Sequence, residues 1–266
     1  MIQLFDSHAH YDDSRFAREF EGGGDGAILK AREEGVIGII NVGSSLKNSR
    51  NSVALSEKYS FIKAAAGLHP HDAQFIEKGM EAAALDEIMS LLRHPNTVAL
   101  GEIGLDYHYD DTDEGVQKKF FDAQLSMAEE TKMPVIIHDR DAHGDIFDMI
   151  SCHKNVTGVF HSFSGSAEMA RQLINKGWYI SFSGPITYKN AVKVREAASV
   201  CPRDRVLVET DAPYLPPVPH RGEINYSGYL HYTAEGLASA MNLTIEEIAA
   251  QTIENTCRLF GITEWE

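Results

Sequence analysis

Short apolar runs alternate along the chain with longer segments in which apolar residues recur at helical spacing. Runs rich in β-branched residues predict strands, which we place at residues 2–6, 36–42, 62–68, 97–103, 134–138, 157–161, 178–182 and 205–209. Apolar residues three and four positions apart predict helices that cover one face of a sheet. These include residues 46–58, 82–92, 115–131, 144–151, 166–176, 190–199, 231–240 and 244–260.

The alternation of strands and helices predicts the fold class. Near-continuous apolar strands, each followed by a helix, are typical of a parallel sheet covered on its outer face. Eight such units in 266 residues match an α/β fold, the (β/α)₈ TIM barrel. An extra C-terminal helix over 244–260 starts in a capping box of Thr244 and Glu247. A doubly wound open sheet is the alternative. No linker interrupts the pattern, so we expect a single TIM-barrel domain over residues 1–266.

Charge and cysteine content narrow the function classes. The formal net charge of −15 excludes a broad cationic platform for duplex nucleic acid. Cys152, Cys201 and Cys257 lie far apart, as expected in a reducing compartment. No apolar run approaches the ~20 residues that span a bilayer, and the N-terminal residues lack the basic start of a secretory signal. We therefore expect a cytoplasmic monomer with no membrane segment and no obligate protein partner.

Three connections stand out as polar or glycine-rich. The stretch EGGGDG at 21–26 has no following Lys-Ser/Thr and does not follow a strand, so it is not a phosphate-binding loop. We interpret it as an interruption within a helix. Two long polar segments, 106–114 and 212–230, follow the fourth and eighth predicted strands. Such loops form the catalytic face of a barrel.

Ionisable side chains end most of the predicted strands. A lone histidine at such a place is more often a hydrogen-bonded structural residue than a ligand. In a closed barrel, however, all of these strand ends converge on one mouth. Imidazoles and carboxylates gathered there without a shared partner would be strongly destabilising. The sequence therefore predicts bound divalent cations among His8, His10, His69, Glu102, His138, His161 and Asp211.

The donor atoms restrict the metal. Nitrogen and oxygen ligands suit Zn²⁺, Mn²⁺, Fe²⁺ or Co²⁺ and, less comfortably, Mg²⁺, whereas a structural cysteine-type zinc site is excluded by the absence of thiolates. A single open catalytic site uses about three protein ligands. Because more candidates are present, we expect two ions, with Glu102 as the bridge. The candidate ligands are His8, His10, Glu102, His138, His161 and Asp211.

Seven ordered motifs resemble those of the TatD family of metal-dependent deoxyribonucleases, which are barrels of the amidohydrolase-like superfamily. The resemblance extends from about Leu4 to Phe260. The motifs are FDSHAHYDD, GLHPHDA, ALGEIGLDY, PVIIHDRDAHGD, FHSFSGS, ISFSGPITYKNA and LVETDAPYLPP.

The resemblance implies two divalent ions, with Mg²⁺, Mn²⁺ and Zn²⁺ all open, and hydrolysis of phosphodiester bonds from a 3′ end of DNA. One ion is then held by His8, His10 and Asp211, the other by His138 and His161, and Glu102 bridges them. The candidate catalytic residues are Glu102, Asp211 and His69. Asp211 would take a proton from the attacking water. His69 would contact the phosphate or leaving group, while an orienting contact to Glu102 is the equally open alternative.

One loop departs from the family pattern. The family carries G-K-R-N-E-P after strand eight, whereas here Arg221, Gly222 and Asn225 remain and the other positions differ. Two positive charges are lost from a loop expected to face an anionic substrate, which leaves substrate length open. The acidic body favours exonuclease action on single-stranded or frayed ends over duplex cutting. Candidate phosphate contacts and stacking surfaces are Arg15, Arg140, Lys189 and Arg221, and Tyr107, Phe163 and Tyr214.

Two other functions remain open. An amidohydrolase-type enzyme could cleave a small amide, lactone or ester on the same barrel, because fold does not fix substrate. Related barrels often bridge their metals with a modified lysine, and no lysine ends a predicted strand here. A non-catalytic scaffold is the third possibility, against which the full set of candidate ligands argues.

Overall fold

Parallel strands pair in chain order around a central sheet. The computed structural model describes residues 2–109 and 113–264, and each strand pairs in parallel with the next. This order confirms the TIM barrel and rules out the doubly wound sheet, in which the strand order reverses. The strands are β1 (Leu4–Ala9), β2 (Val36–Val42), β3 (Ile62–Ala66), β4 (Thr97–Asp106), β5 (Val135–Arg140), β6 (Gly158–Phe160), β7 (Tyr179–Phe182) and β8 (Val206–Val208).

Helices lie between the strands and outside the barrel. The extra C-terminal helix begins, as expected, in a capping box in which Thr244 and Glu247 bond reciprocally. Within the described residues, no helix combines the length and apolar character needed to cross a bilayer. The helices are α1 (Gly24–Glu33), α2 (Leu46–Lys58), α3 (Pro70–Ala73), α4 (Glu81–Leu92), α5 (Glu114–Thr131), α6 (His143–Cys152), α7 (Ala167–Asn175), α8 (Val192–Ser199), α9 (Leu230–Met241) and α10 (Ile245–Phe260).

The barrel interior is filled by an apolar layer to which every strand contributes. Phe260, the last residue of α10, and Ile262, just after the helix, pack against this layer. On β5, Ile136 belongs to the layer and His138 lies two residues further along the same face. The interior layer therefore forms the apolar floor beneath the mouth. Its strand members are Phe5, Ile40, Val42, Ala65, Ala99, Ile136, Val159, Tyr179 and Leu207.

Backbone contacts close the barrel between its first and last strands. An isolated parallel bridge joins Ala9 to Ala212. The His10 N–H donates to the Ala212 carbonyl at 2.7 Å, and the Asp211 N–H donates to the His8 carbonyl at 2.9 Å. The closing bonds thus involve the same short segments that carry three of the predicted ligands.

A buried carboxylate, Asp6, strengthens the same seam. It is fully buried, and it accepts hydrogen bonds at 2.5 Å from the hydroxyls of both Thr210 and Ser227. Burial raises the pKa of Asp6 to about 6, against the hydrogen bonds from Ser227 and Thr210, which lower it. Asp6 therefore ties β1 both to the residues after β8 and to the loop that follows.

The glycine-rich stretch opens a helix and does not interrupt one, so that interpretation was wrong. Helix α1 begins at Gly24. A Cβ on Gly24 would lie 2.2 Å from the Tyr11 carbonyl oxygen, and one on Gly26 would lie 1.9 Å from that of Glu21. The glycines allow the start of α1 to pack closely against the preceding backbone.

Strand β4 extends beyond its predicted end at residue 103. It continues to Asp106 beside β5. Gln117 of α5 bonds both the N–H and the carbonyl of Asp106, at 2.8 and 2.9 Å. That long-range contact has no signature in the local sequence. Of the predicted loop 106–114, residues 110–112 lie outside the described residues; the second predicted loop, 212–230, is irregular apart from a 3₁₀ turn at Ser227–Tyr229.

Gly104, near the end of β4, occupies a conformation that excludes a side chain. Its φ is 148°, and a Cβ would lie 1.9 Å from the His138 carbonyl oxygen. We expect Gly104→Ala to lower the free energy of unfolding by about 2–4 kcal/mol through backbone strain and overpacking. Urea-induced unfolding followed by circular dichroism measures this.

Gly144→Ala is the matched control. Gly144 lies in α6 with no atom near the position of an added Cβ, so alanine there should leave stability unchanged or raise it slightly. Equal unfolding midpoints for the two variants would contradict the steric account of Gly104.

Candidate metal centre

The residues singled out from the strand ends meet at the C-terminal mouth of the barrel. They border a cleft with a volume of about 810 Å³, except that His8 is completely buried beneath it. The predicted residues that line the cleft are His10, His69, Glu102, His138, His161 and Asp211.

Glu102 lies at the centre of this group and is almost completely buried. Its Oε1 is 2.7 Å from both His138 Nδ1 and His161 Nε2. Its Oε2 is 3.5 Å from His8 Nε2 and 3.6 Å from His10 Nε2. Each carboxylate oxygen therefore faces a different pair of imidazoles.

His8 and His10, the pair that faces Oε2, also face the carboxylate of Asp211, which follows β8. His8 Nε2 and His10 Nε2 are 3.0 Å apart, and Asp211 Oδ1 lies 3.7 and 3.5 Å from them. A register shift between Asp6 and Ala9 interrupts the pairing of β1 with β2. Such irregularities redirect side chains, and this one lies at the strand position that carries His8.

Two of the imidazoles have a hydrogen-bond acceptor on the side away from Glu102, called an outer acceptor here, which decides which ring nitrogen carries the proton. His10 Nδ1 donates to the Val42 carbonyl at 2.8 Å, and His161 Nδ1 donates to Glu209 Oε1 at 3.2 Å. A carbonyl or a carboxylate can only accept, so the N–H of each neutral ring must be on Nδ1. The lone pair is then on Nε2, the nitrogen that faces Glu102.

Asp106 acts on His138 in the same way through the other ring nitrogen. His138 Nε2 donates to Asp106 Oδ2 at 3.0 Å, so the lone pair is on Nδ1. Burial would raise the pKa of Asp106, but the hydrogen bond and charge of His138 lower it to about 2. Asp106 is therefore an ionised acceptor that orients His138 towards Glu102.

Lone pairs from several rings thus point at carboxylate oxygens in a buried place, which is repulsive without a cation. Protons on the rings can take the place of a cation: burial alone would raise the pKa of Glu102, but in the protonated state the charges of His161 and His69 and the hydrogen bonds from His138 and His161 hold it well below its usual range. Burial opposes the charged form of His10, yet Asp211 and Glu102 raise its pKa to about 9. The mouth therefore strongly attracts positive charge.

The spacing of the donor atoms fits divalent ions. Ligands about 2.0–2.1 Å from one ion lie about 3.0–3.5 Å from each other. The 3.0 Å between His8 and His10 and the 3.3 Å between His138 and His161 match this spacing. Groups able to hold a cation include His8 with His10 and Asp211, and His8 with Glu102 and His161.

His69 also lines the mouth, and its two ring nitrogens face different groups. Its Nδ1 accepts the N–H of His71 at 3.2 Å, which caps α3, and its Nε2 is 3.8 Å from Glu102 Oε1. Burial and the charge of His138 lower the pKa of His69 well below its usual value. The contacts favour the orienting role over the leaving-group role.

Two carboxylates of the centre were passed over in the sequence. Asp106 lies four residues after Glu102 on β4, and Glu209 lies two residues before Asp211. Residues separated by an even number along a strand share a face, so the spacing of Glu102 and Asp106 was an available signal. Glu209 and Asp211 lie beyond the end of β8, where this rule gives none. The carboxylates were missed because their role is to orient histidines that lie on other strands.

Among the predicted stacking residues, Phe163 and Tyr214 line the cleft. Tyr107 does not line it within the described residues. The Tyr107 hydroxyl donates instead to Asp145 at 2.7 Å. The structure thus retains two of the three candidates.

Of the predicted phosphate contacts, only Arg140 lines the cleft as far as the chain is described. Arg15 pairs with Asp13 at 2.7 Å and lies over the Tyr214 ring. Arg15, Lys189 and Arg221 do not line the cleft along its described length, as expected if they are ordinary surface residues, and their contact with flanking phosphates stays a prediction. Lys47, in the first turn of α2, lines the cleft and was missed. Nothing in the local pattern separates Lys47 from a surface lysine.

The loop that departs from the family pattern does not border the cleft along its described length. The Arg221 guanidinium lies 4.0 Å from the centroid of the Tyr188 ring. The Tyr226 hydroxyl donates to Glu34 at 2.6 Å, and Ser227 bonds Asp6. Two of the altered positions, Tyr226 and Ser227, thus bind neighbouring parts of the fold, and contact between this loop and a longer substrate stays a prediction.

Comparison with known proteins identifies the family. The model of the family described as TatD related DNase matches residues 5–261. The chain belongs to the TatD family. It is 41% identical to the uncharacterized metal-dependent hydrolase YabD of Bacillus subtilis, over 97% of this chain and 99% of that one. The uncharacterized metal-dependent hydrolase YcfH of Escherichia coli is 34% identical, over 97% and 96%.

A solved relative has the same fold throughout. The crystal structure of YjjV, a TatD homolog from Escherichia coli, superposes with a TM-score of 0.89 at 31% identity, covering 97% of this chain and 98% of that one. The chain is therefore a metal-dependent hydrolase of the TatD family. The family predicted from the seven motifs is confirmed.

The outer carboxylates should contribute to metal affinity. We expect Asp106→Asn and Glu209→Gln each to weaken Mn²⁺ binding about 10–100-fold, because an amide no longer fixes the histidine tautomer. Isothermal titration calorimetry on metal-free protein measures the change. The control is Asp145→Asn, whose carboxylate pairs with Lys118 away from the centre. Unchanged affinity in both test variants would rule out the orienting role.

Proposed function

We propose that this protein is a deoxyribonuclease that removes nucleotides from the 3′ ends of single-stranded or frayed DNA. The observation that carries the proposal is Glu102, whose oxygens each face a separate pair of imidazoles at 2.7–3.6 Å. A carboxylate so placed can bridge ions about 3.5–4 Å apart, the arrangement that recurs in phosphoester hydrolysis.

The proposed ligands divide between the two oxygens of Glu102. His8, His10 and Asp211 lie on the Oε2 side, and His138 and His161 lie on the Oε1 side. Divalent ions held there, whether Mg²⁺, Mn²⁺ or Zn²⁺, would supply Lewis acidity and a lowered pKa for bound water. The protein's part is to hold these donors in place and to keep their lone pairs directed inward.

Asp211 is the proposed general base. It lines the cleft and is 13% exposed at its side chain. Burial alone would raise the pKa of Asp211, but His10, His161 and His8 lower it. The group therefore starts the reaction as a carboxylate and can accept the proton that the attacking water releases. His69 would orient Glu102 from the side of Oε1, whereas Asp211 lies on the side of Oε2.

The cleft suits the end of a strand better than a duplex. Among its described lining residues, Lys47 and Arg140 are the cations, while Phe163 and Tyr214 offer aromatic rings. Few phosphates can be neutralised there, so binding would depend on base stacking and the mouth itself. We expect the protein to act in the cytoplasm as a monomer.

A small-substrate hydrolase is the second candidate. Carboxylates outnumber cations along the cleft, since Asp12, Asp13 and Asp72 join the acidic residues of the centre. Such a surface suits a neutral amide, lactone or ester. The DNA proposal ranks first because the family description names a DNase.

A labelled oligonucleotide separates these functions. With Mn²⁺ or Mg²⁺, we expect stepwise release of nucleotides from the 3′ end of single-stranded DNA, with loss of activity in EDTA and recovery on adding metal. Glu102→Ala should abolish turnover, because both groups of donors lose their shared carboxylate. Denaturing gels with 5′-labelled and 3′-labelled strands give the polarity.

The control for this assay is Glu87→Ala, which removes an exposed carboxylate paired with Arg50. Turnover of amides or lactones without nucleotide release would favour the second candidate. If no substrate is turned over in any assay, the remaining interpretation is a non-catalytic scaffold with a structural metal cluster.

Lys47 should affect binding more than chemistry. We expect Lys47→Gln to raise KM for single-stranded DNA with little change in kcat, and to reduce the slope of log affinity against log salt by about 0.7. Steady-state kinetics at several salt concentrations measure both effects. Lys78→Gln, at an exposed position, is the control. A salt slope equal to that of the unaltered protein would exclude Lys47 as a phosphate contact.

A further inference from the structure

His71, the second histidine of the GLHPH motif, is not used by the metal centre as described above. Its Nε2 is buried, forms no hydrogen bond and lies 3.4 Å from Asp106 Oδ2. The side chain lines the cleft and is 30% exposed. Nδ1 is not among the buried unpaired atoms and has no hydrogen bond within the described residues. One edge of the ring therefore faces a carboxylate, and Nδ1 is open to the cleft.

The two histidines of this motif differ in which ring nitrogen forms a hydrogen bond. His69 uses Nδ1 to accept the backbone N–H of His71 and directs Nε2 at Glu102. The same N–H bond fixes the backbone of His71 at the start of α3, so its ring is held on a short and rigid turn. Of the two, His71 is the one whose Nδ1 forms no hydrogen bond among the described residues, so this nitrogen can face a bound substrate.

Asp106 is the group that would support a proton on His71. It is almost completely buried, and its backbone is held on both sides by Gln117. Its Oδ2 already accepts from His138 at 3.0 Å, on the side of the metal centre. Because a carboxylate oxygen has more than one lone pair, it can also face the Nε2–H of a protonated His71. The second N–H of that ring would then point into the cleft.

We propose that His71 is the residue that donates a proton to the leaving oxygen, an inference that rests on the proposed phosphodiester hydrolysis. As the water oxygen bonds to phosphorus, one water proton passes to Asp211. The bond from phosphorus to the 3′ oxygen of the preceding nucleotide breaks, and that oxygen takes the Nδ1 proton of His71 to become a hydroxyl. Solvent returns the proton from Asp211 to His71. One water is consumed, and a nucleotide monoester and a free 3′ hydroxyl result.

The leaving group provides the test. A nucleoside oxygen is a poor leaving group that needs protonation, whereas 4-nitrophenolate leaves without it. We expect His71→Asn and His71→Gln to lower kcat on the dinucleotide TpT about 10²–10⁴-fold. The same variants should lose less than about threefold on the 4-nitrophenyl ester of thymidine 5′-phosphate, in which general-acid assistance is not required.

Two controls separate this role from a structural one. His94→Asn alters a half-buried histidine that pairs with Glu57 and does not line the cleft, and it should leave both rates unchanged. Calorimetric titration with Mn²⁺ should give the same affinity for the His71 variants as for the unaltered protein.

Each contrary result has a definite meaning. An equal loss on both esters, or weakened Mn²⁺ binding in the His71 variants, overturns the inference and leaves the phosphodiester function standing. If the unaltered protein cleaves neither ester, the proposed function fails and the inference fails with it.

Discussion

The burial of the Glu102 carboxylate is the constraint on which the rest of the site depends. An isolated charge at that depth would be strongly destabilising, and it is tolerated because imidazoles approach both of its oxygens. Those imidazoles are in turn held by outer acceptors, namely the Val42 carbonyl, Asp106 and Glu209. The outer acceptors decide which nitrogen carries the proton, and so make the centre a receptor for cations rather than a network of neutral hydrogen bonds.

Closure of the barrel makes this arrangement possible. The seam between β1 and β8 relies on an isolated bridge and on the buried Asp6, which joins residues more than 200 positions apart. The bonds that close the seam flank His8, His10 and Asp211. Folding and assembly of the first group of donors are therefore one event.

Charge is distributed so that a phosphate is attracted only at the mouth of the barrel. The chain carries −15 overall, and the cleft adds carboxylates with few cations. Attraction for a phosphate must then come from the mouth and from single contacts such as Lys47. This arrangement disfavours long-range binding of duplex DNA and favours a substrate that enters end first. The loop at 221–227 stands apart from this attraction, because it contacts Asp6, Glu34 and Tyr188 and does not line the cleft along its described length.

The sequence by itself determined the strands, the barrel and the chemical type of the centre. Alternating apolar runs set the architecture, and histidines and carboxylates at strand ends can meet only at one mouth. Partners contributed by distant segments could not be read from the sequence. Asp106 joins β4 because Gln117 of α5 bonds its backbone, and Lys47 borders the cleft while Arg15 pairs with Asp13. Local patterns record which face a residue occupies, whereas only the folded chain decides which groups from other strands it meets there.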